Sequence, residues 1–377
     1  MWWKELLQRK KDTAVLQAGR YRQEKLLGNM PVYPADSRLY EEIRSTIPII
    51  DAALDKIVRL LGGFEISCAS QSVKAELEEF CRTVPVGTSG KGINQFLERY
   101  LDDLLLYGNA AGEMTVQKGG IRALYNVPLE NLAVKGAENG KARILVRGAW
   151  GDFVPAQYPD LILFTALRPK SGEVLGQSVL AGLPFVSEIL MKIYKAIGNN
   201  FQRLGNLRYA VTYHPQQGER VQAQETAQAI AQQWGAAMQE NGAEISDFVA
   251  VGDVRIQVIG ADCTMLDTDI PVRQMLEQVI AKMGIPPFML GLHWSSTERM
   301  SRQQADILTS EMEYYRSLLT PVVQRILELH LRIKGIYQPF YLEWQNISLQ
   351  DEGEAAQARF ANARAAKLEQ EVYRCSR

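Results

Sequence analysis

The feature that most constrains this chain is a stripe of eight apolar residues toward its C-terminal end. Leu308, Met312, Tyr315, Leu319, Val322, Ile326, Leu329 and Ile333 recur at alternating spacings of four and three. A heptad repeat of this length predicts one helix over about 301–334, the longest in the chain. Pro321 lies inside it and is expected to kink it, because its ring crowds the preceding turn and it has no N–H to donate. The stripe has to be covered, and burial in the chain's own core or packing on a neighbouring subunit satisfies the pattern equally well. Upstream, Gly284-Ile285-Pro286-Pro287 is a firm break, since each proline disfavours helix at the residue before it. A polar loop, Leu290-Gly291-Leu292-His293-Trp294-Ser295-Ser296-Thr297-Glu298-Arg299, lies between break and stripe.

The first half reads as an α+β domain. Residues 1–46 are polar and basic-rich and are expected to form a loosely packed arm. Ile50, Leu54, Ile57 and Leu61 then recur at helical spacing until Gly62-Gly63 stops them, and residues 64–68 alternate like a strand. Helices are predicted over about 74–82 and 93–107. The second carries Phe96, Leu97, Tyr100, Leu101, Leu104 and Leu105 on one face and ends at Gly108-Asn109. Strand-like runs follow at 112–116, 121–124, 142–146 and 161–164, with turns at Gly119-Gly120 and Glu138-Asn139-Gly140.

The middle differs. An amphipathic helix over 187–204 places Leu190, Ile193, Ile197, Phe201 and Leu204 on one stripe and Lys192, Lys195 and Asn199 on another. A small section follows, with strands near 207–212, 248–251 and 254–259 and a Gln-rich helix over 224–239 that aligns Ala227, Ile230 and Trp234. Asp269-Ile270-Pro271 opens a further helix to Met283, with Asp as cap and Pro in the first turn. Beyond the long helix, Phe340, Leu342 and Trp344 alternate with Tyr341, Glu343 and Gln345, which predicts a half-buried strand; 351–373 is Ala-rich and helical in character.

Composition excludes more than it includes. Lys+Arg 42 against Asp+Glu 43 gives a formal charge of −1, so any contact with DNA rests on local charge or on an assembly. Cys68, Cys81, Cys263 and Cys375 form no CxxC pair and read as free thiols. No apolar run approaches the roughly 20 residues of a membrane span, and Met1-Trp2-Trp3 begins no secretory signal. Trp2-Trp3-Leu6-Leu7 suits docking on a partner subunit better than a membrane surface. His214, His293 and His330 lie in separate segments without metal-ligand spacing, and no phosphate loop or nucleophile elbow occurs. Asp102-Asp103 and Glu41-Glu42 point apart on predicted helices and read as solvated faces; Asp262, Asp267 and Asp269 read as capping and dipole stabilisation. No catalytic residue, metal or cofactor is expected.

This order of elements resembles the portal proteins of tailed phages with HK97-like heads, over about residues 47–374. The most telling stretch is Ile280-Ala281-Lys282-Met283-Gly284-Ile285-Pro286-Pro287-Phe288-Met289-Leu290-Gly291, which is similar to the family's helix, Pro-Pro break and hydrophobic-Leu-Gly sequence. Leu318-Leu319-Thr320-Pro321, the strand 340–344, and Gly176-Gln177-Ser178-Val179-Leu180 before a helix also resemble family segments. The resemblance implies an N-terminal arm (1–46), a wing (47–180), a first stem helix (181–206), a clip (207–264) and a second stem helix (265–287). It further implies a tunnel loop (288–301), a long kinked helix (302–336), a wing return strand (337–350) and a short crown helix (351–377). It implies a ring of about twelve subunits at one capsid vertex of the virion, assembled in the host cytoplasm and serving DNA packaging and ejection. The implied partners are other copies of the chain, double-stranded DNA bound without sequence specificity, the terminase motor, major capsid or scaffold protein, and head-completion (adaptor) proteins, with no membrane. The implied DNA-channel residues are His293, Trp294, Ser295, Ser296, Thr297, Glu298, Arg299, Met300, Ser301 and Arg302, with Lys192 and Lys195 facing the channel from the stem. Such a lining is polar and weakly charged, which lets DNA slide without being gripped. The alternatives are another head–tail adaptor, usually much shorter, or a hydrolase with scattered carboxylates.

Overall fold

A computed structural model describes residues 30–31, 36–135, 143–205, 208–214, 225, 227–232, 253–259, 268–292 and 298–347. The chain divides into two compact units, Met1–Ser187 with Leu276–Arg377, and Glu188–Met275.

In the first unit, β1 (Met30–Pro31) precedes α1 (Ser37–Thr46). The expected arm therefore ends ten residues early. Tyr40, Ile43 and Ile47 share one side and are buried, and Arg44 bonds both Asp51 (2.7 Å) and Asp102 (2.8 and 2.9 Å). These few apolar positions are diluted by charges, so the helix does not stand out in the sequence. Next, α2 (Pro48–Leu60) starts with a proline in its first turn and buries Ile50, Ala53, Leu54 and Ile57, as its stripe requires. Gly62, at φ +69°, ends it, and β2 (Phe64–Cys68) follows. α3 (Gln71–Thr83) begins three residues before its expected start and buries Val73, Leu77 and Phe80.

After β3 (Pro85–Val86) and β4 (Gly90–Lys91), α4 (Ile93–Tyr107) has the expected bounds, and all six expected face residues are at most 1% exposed. Gly108 supplies the left-handed cap (φ 76°). The strands are β5 (Asn109–Gln117), β6 (Gly120–Asn126), β7 (Leu132–Lys135), β8 (Arg143–Arg147), β9 (Phe153–Pro155) and β10 (Ile162–Ala166). They form a five-stranded sheet, β10-β5-β6-β3-β4, and a four-stranded sheet, β1-β7-β8-β9. Pairing is antiparallel except at Val86↔Leu124. The sequence reading misses β7 because Leu132, Ala133 and Val134 are all buried, so no in–out alternation exists to be seen. It misses β9 because three residues are too few for a period.

α5 (Leu183–Gly205) starts four residues before the expected position and passes into the second unit. Its stripe is covered only in part. Leu190 is buried, Ile193 and Ile197 are half-buried, and Phe201 is exposed. β11 (Arg208–His214) pairs antiparallel with β12 (Asp253–Ile259), in register from Arg208↔Ile259 to His214↔Asp253. Residues 225 and 227–232 are helical; the rest of the expected Gln-rich helix and the expected strand 248–251 lie outside the described residues. α6 (Asp269–Met283) takes Asp269 into its first turn, so Thr268 rather than Asp269 precedes the helix.

α7 (Glu298–Ile333) runs unbroken through Pro321 and packs against β6, α4 and the last strand, β13 (Phe340–Trp344), so the chain's own core covers its stripe. The heptad drifts. Leu308, Met312, Tyr315, Leu319, Val322 and Ile326 are buried, but Leu329 and Ile333 are half-buried while Val323, Leu327, His330 and Leu331 replace them. A straight helix of 3.6 residues per turn slips about 20° per heptad, so the buried face moves off a strict 3.5-residue repeat. β13 pairs antiparallel with β2 in the expected half-buried pattern. The crown helix expected beyond residue 350 lies outside the described residues.

One side chain ties these pieces together. Arg316 is 6% exposed; its Nε and Nη2 donate to Leu61 O at 3.0 and 2.7 Å, and Nη1 donates to Gln345 O at 2.8 Å. The guanidinium also lies over the Trp344 ring at 5.4 Å, and Trp344 Nε1 donates to Thr320 Oγ1. Arg316→Met keeps the volume but strands the Leu61 and Gln345 carbonyls. It should cost about 2–4 kcal/mol in denaturant unfolding, with Arg316→Lys recovering only part. A loss under about 0.5 kcal/mol, the level of an ordinary surface change, contradicts this role.

Candidate functional site

The break and the polar loop are positioned by local geometry. Gly284, at φ +68°, closes α6 with its N–H on Ile280 O (2.9 Å), and Ile285 is buried. Pro287–Leu290 makes a 3-10 turn capped by Gly291 at φ 76°, and Leu292 N donates back to Pro287 O at 3.1 Å. The chain thus leaves the core through a braced turn. His293, Trp294, Ser295, Ser296 and Thr297 lie outside the described residues. Glu298, Arg299, Met300, Ser301 and Arg302 belong to the first turns of α7, which corrects the expected loop boundary. The polar composition of Glu298–Arg302 looks loop-like, but the helical period already runs through it. Met300 is 49% exposed.

On α5, Lys192 and Lys195 are exposed. Lys192 Nζ lies 2.6 Å from Glu188 Oε1, one turn earlier, and holds that carboxyl below its usual range. The pair neutralises its patch of helix.

Two polar centres in the first unit were not singled out as such by the sequence reading. The first surrounds Asp103. Asp102 is ion-paired with Arg44, and Asp103 opens on a cavity of about 510 Å³ with Glu41, Arg99, Tyr107, Asn126 and Glu130, so this is no solvated face. Tyr107 Oη donates to Glu41 Oε1 at 2.7 Å. Burial first, and the Asp102 charge second, push the Asp103 carboxyl up to about 7; Arg99 and Arg44 oppose them. The spacing of Tyr100, Asp103 and Tyr107 along one side of α4 was the available signal. The second centre is His330, buried and stacked on Phe80 at 3.9 Å. Its Nδ1 accepts from Ile121 N (3.3 Å), which leaves Nε2 to donate to Glu76 Oε1 (3.3 Å); Lys334 also pairs with Glu76. Burial lowers its pKa, and the neutral ring serves as a structural tie.

The first unit also holds a cavity of about 590 Å³, lined by Ile144, Phe164, Val174, Leu318, Pro321 and Val322, with Arg143 and Arg325 beside them. Arg325 Nη2 donates to Asp160 O (2.8 Å) and Oδ1 (3.0 Å). Among the described residues, no group of three or more His, Cys, Asp or Glu could hold a metal ion, and no helix is long and apolar enough to cross a membrane. Cys68 and Cys81 are free thiols; Cys263 and Cys375 lie outside the described residues.

The folded state should hold its Asp103 proton at a pH where the unfolded chain, with a value near 3.8, has lost it. This contribution is therefore lost as pH rises from about 4 to 7. Asp103→Asn should be more stable than the parent at pH 8, and its advantage should shrink by about 1–3 kcal/mol at pH 5. Parallel unfolding profiles at the two pH values contradict the burial of this carboxyl.

No family model matches the chain, and no curated protein matches it. Solved structures do. A chain of the virion of native gene transfer agent (GTA) particle aligns at TM-score 0.67 and 16% identity, covering 93% of this chain and 94% of that one. Chains from the neck of the native GTA particle with C12 symmetry (TM-score 0.66, 16% identity, 92% and 94% covered) and of the empty particle with C6 symmetry (0.69, 14%, 93% and 95%) agree. A HK97 family phage portal protein from Corynebacterium diphtheriae aligns at TM-score 0.43 and 15% identity, over 82% and 96%. Over nearly its whole length, this chain has the fold of a chain found in the neck of gene transfer agent particles.

Proposed function

We propose that this chain is a portal subunit. Copies assemble into a ring, of about twelve subunits, at one capsid vertex. The ring is the channel for packaging and ejecting double-stranded DNA and the docking site for terminase, for the capsid or scaffold protein and for head-completion proteins. The observation that carries this reading is the fold shared with GTA neck chains over 92–93% of this chain, which agrees with the portal-like order of elements in the sequence.

The site chemistry supports a conduit. The braced Pro287–Leu290 turn precedes the stretch 293–302, and Glu298–Arg302 open the long helix that follows it. The residues of this stretch bear one carboxylate and two guanidiniums, Glu298, Arg299 and Arg302, repeated once per subunit. That density of charge meets phosphates without fixing a sequence. Lys195 adds a cation on α5, where the charge of Lys192 is balanced by Glu188. The protein performs no bond-making step in this role. No observation favours the adaptor or hydrolase readings.

Electron microscopy of the purified chain, with mass by light scattering, tests the proposal. Rings of roughly a dozen subunits with an axial hole are expected. A monomer that persists across concentration and salt contradicts it.

A further inference from the structure

The hairpin joining β8 and β9 ends in a solvent-exposed indole. Trp150 is 95% exposed. Its turn is braced twice, Gly148 N donating to Asp152 O at 2.7 Å and Gly151 N to Gly148 O at 3.0 Å. Gly151 adopts φ +84°, so the turn depends on glycine at that position. The braced backbone fixes where the indole stands, so a partner that covers it orders the side chain alone, as suits an interface anchor.

The same unit carries a receptacle. The cavity of about 590 Å³ beside Pro321 is walled by aliphatic and aromatic side chains, including Ile144, Phe164 and Val322. Arg143 and Arg325 add guanidiniums, which favour the face of an indole. Arg143 and Ile144 begin β8, whereas Trp150 lies beyond its other end; the knob and the hole are separate patches on one molecule. A contact between two different patches of one molecule is heterologous, and it closes a ring where the rotation it sets closes.

We infer that Trp150 of one copy inserts into the Pro321-side cavity of the next copy. The inference rests on the ring reading and names its contact. Trp150→Ala should keep the parent's unfolding curve yet raise the concentration for half-assembly at least tenfold. A Trp150→Cys/Val174→Cys double variant treated with a short bis-maleimide should give a ladder of covalent oligomers beyond any bands that the parent and the two single variants give through the native cysteines. Parent rings that the Trp150→Ala change leaves intact overturn the contact and assign the indole to another protein. A missing ladder also overturns it. A parent chain that never assembles overturns the ring reading and this contact with it.

Discussion

A buried guanidinium is the constraint on which the first unit depends. Arg316, 6% exposed, projects from the middle of α7 and bonds the carbonyls of Leu61 and Gln345. Burying a charge is costly unless every donor finds an acceptor. The acceptor at Leu61 is well chosen, because the C-terminal end of α2 carries orphan carbonyls and the negative end of the helix dipole. Gln345 sits just past β13. A single side chain thus joins segments 255 and 29 residues away in sequence. Gly62 keeps the space open, since a Cβ there would meet Arg316 Nη2 at 3.0 Å.

A second constraint is the close approach of two glycines. An added Cβ at Gly176 would fall on Gly108 O and the Leu167 backbone, and one at Gly108 would fall on the Gln177 and Ser178 backbone. Asn109 Oδ1 accepts from Gly176 N at 2.8 Å, and Ser178 Oγ donates to Leu105 O. The lead-in to α5 is thereby clamped to the end of α4. In the sequence Gly176-Gln177-Ser178 reads as a motif before a helix; in the fold it is a point where only glycine fits.

Legibility followed pattern length and one-sidedness. α4 could be bounded from sequence because its six apolar positions form one face and Gly108 ends it. α1 could not, because Tyr40 and Ile43 are too few, and β7 could not, because burial on both faces erases the period. Arg316 follows Met312 by one turn and precedes Leu319, so it lies on the buried side of the heptad stripe; a charge in that place was the missed signal. Adjacent carboxylates usually face solvent, so Asp102-Asp103 reads as a solvated face, and only the cavity and the Arg44 pair reveal otherwise. At the candidate site, the break and the helix after it were legible from Pro286, Pro287 and the stripe. The loop boundary was not, because Glu298–Arg302 has a loop's composition and a helix's backbone.

The braced exit turn and the weakly charged segment after it are the features on which the proposed channel rests. The proposed function implies that DNA passes beside residue 294. A photoreactive amino acid placed at Trp294, in particles carrying packaged DNA, measures this most directly. The account predicts DNA adducts there without sequence preference, and none when the same group replaces Trp150. Adducts at Trp150 with none at Trp294 would contradict it.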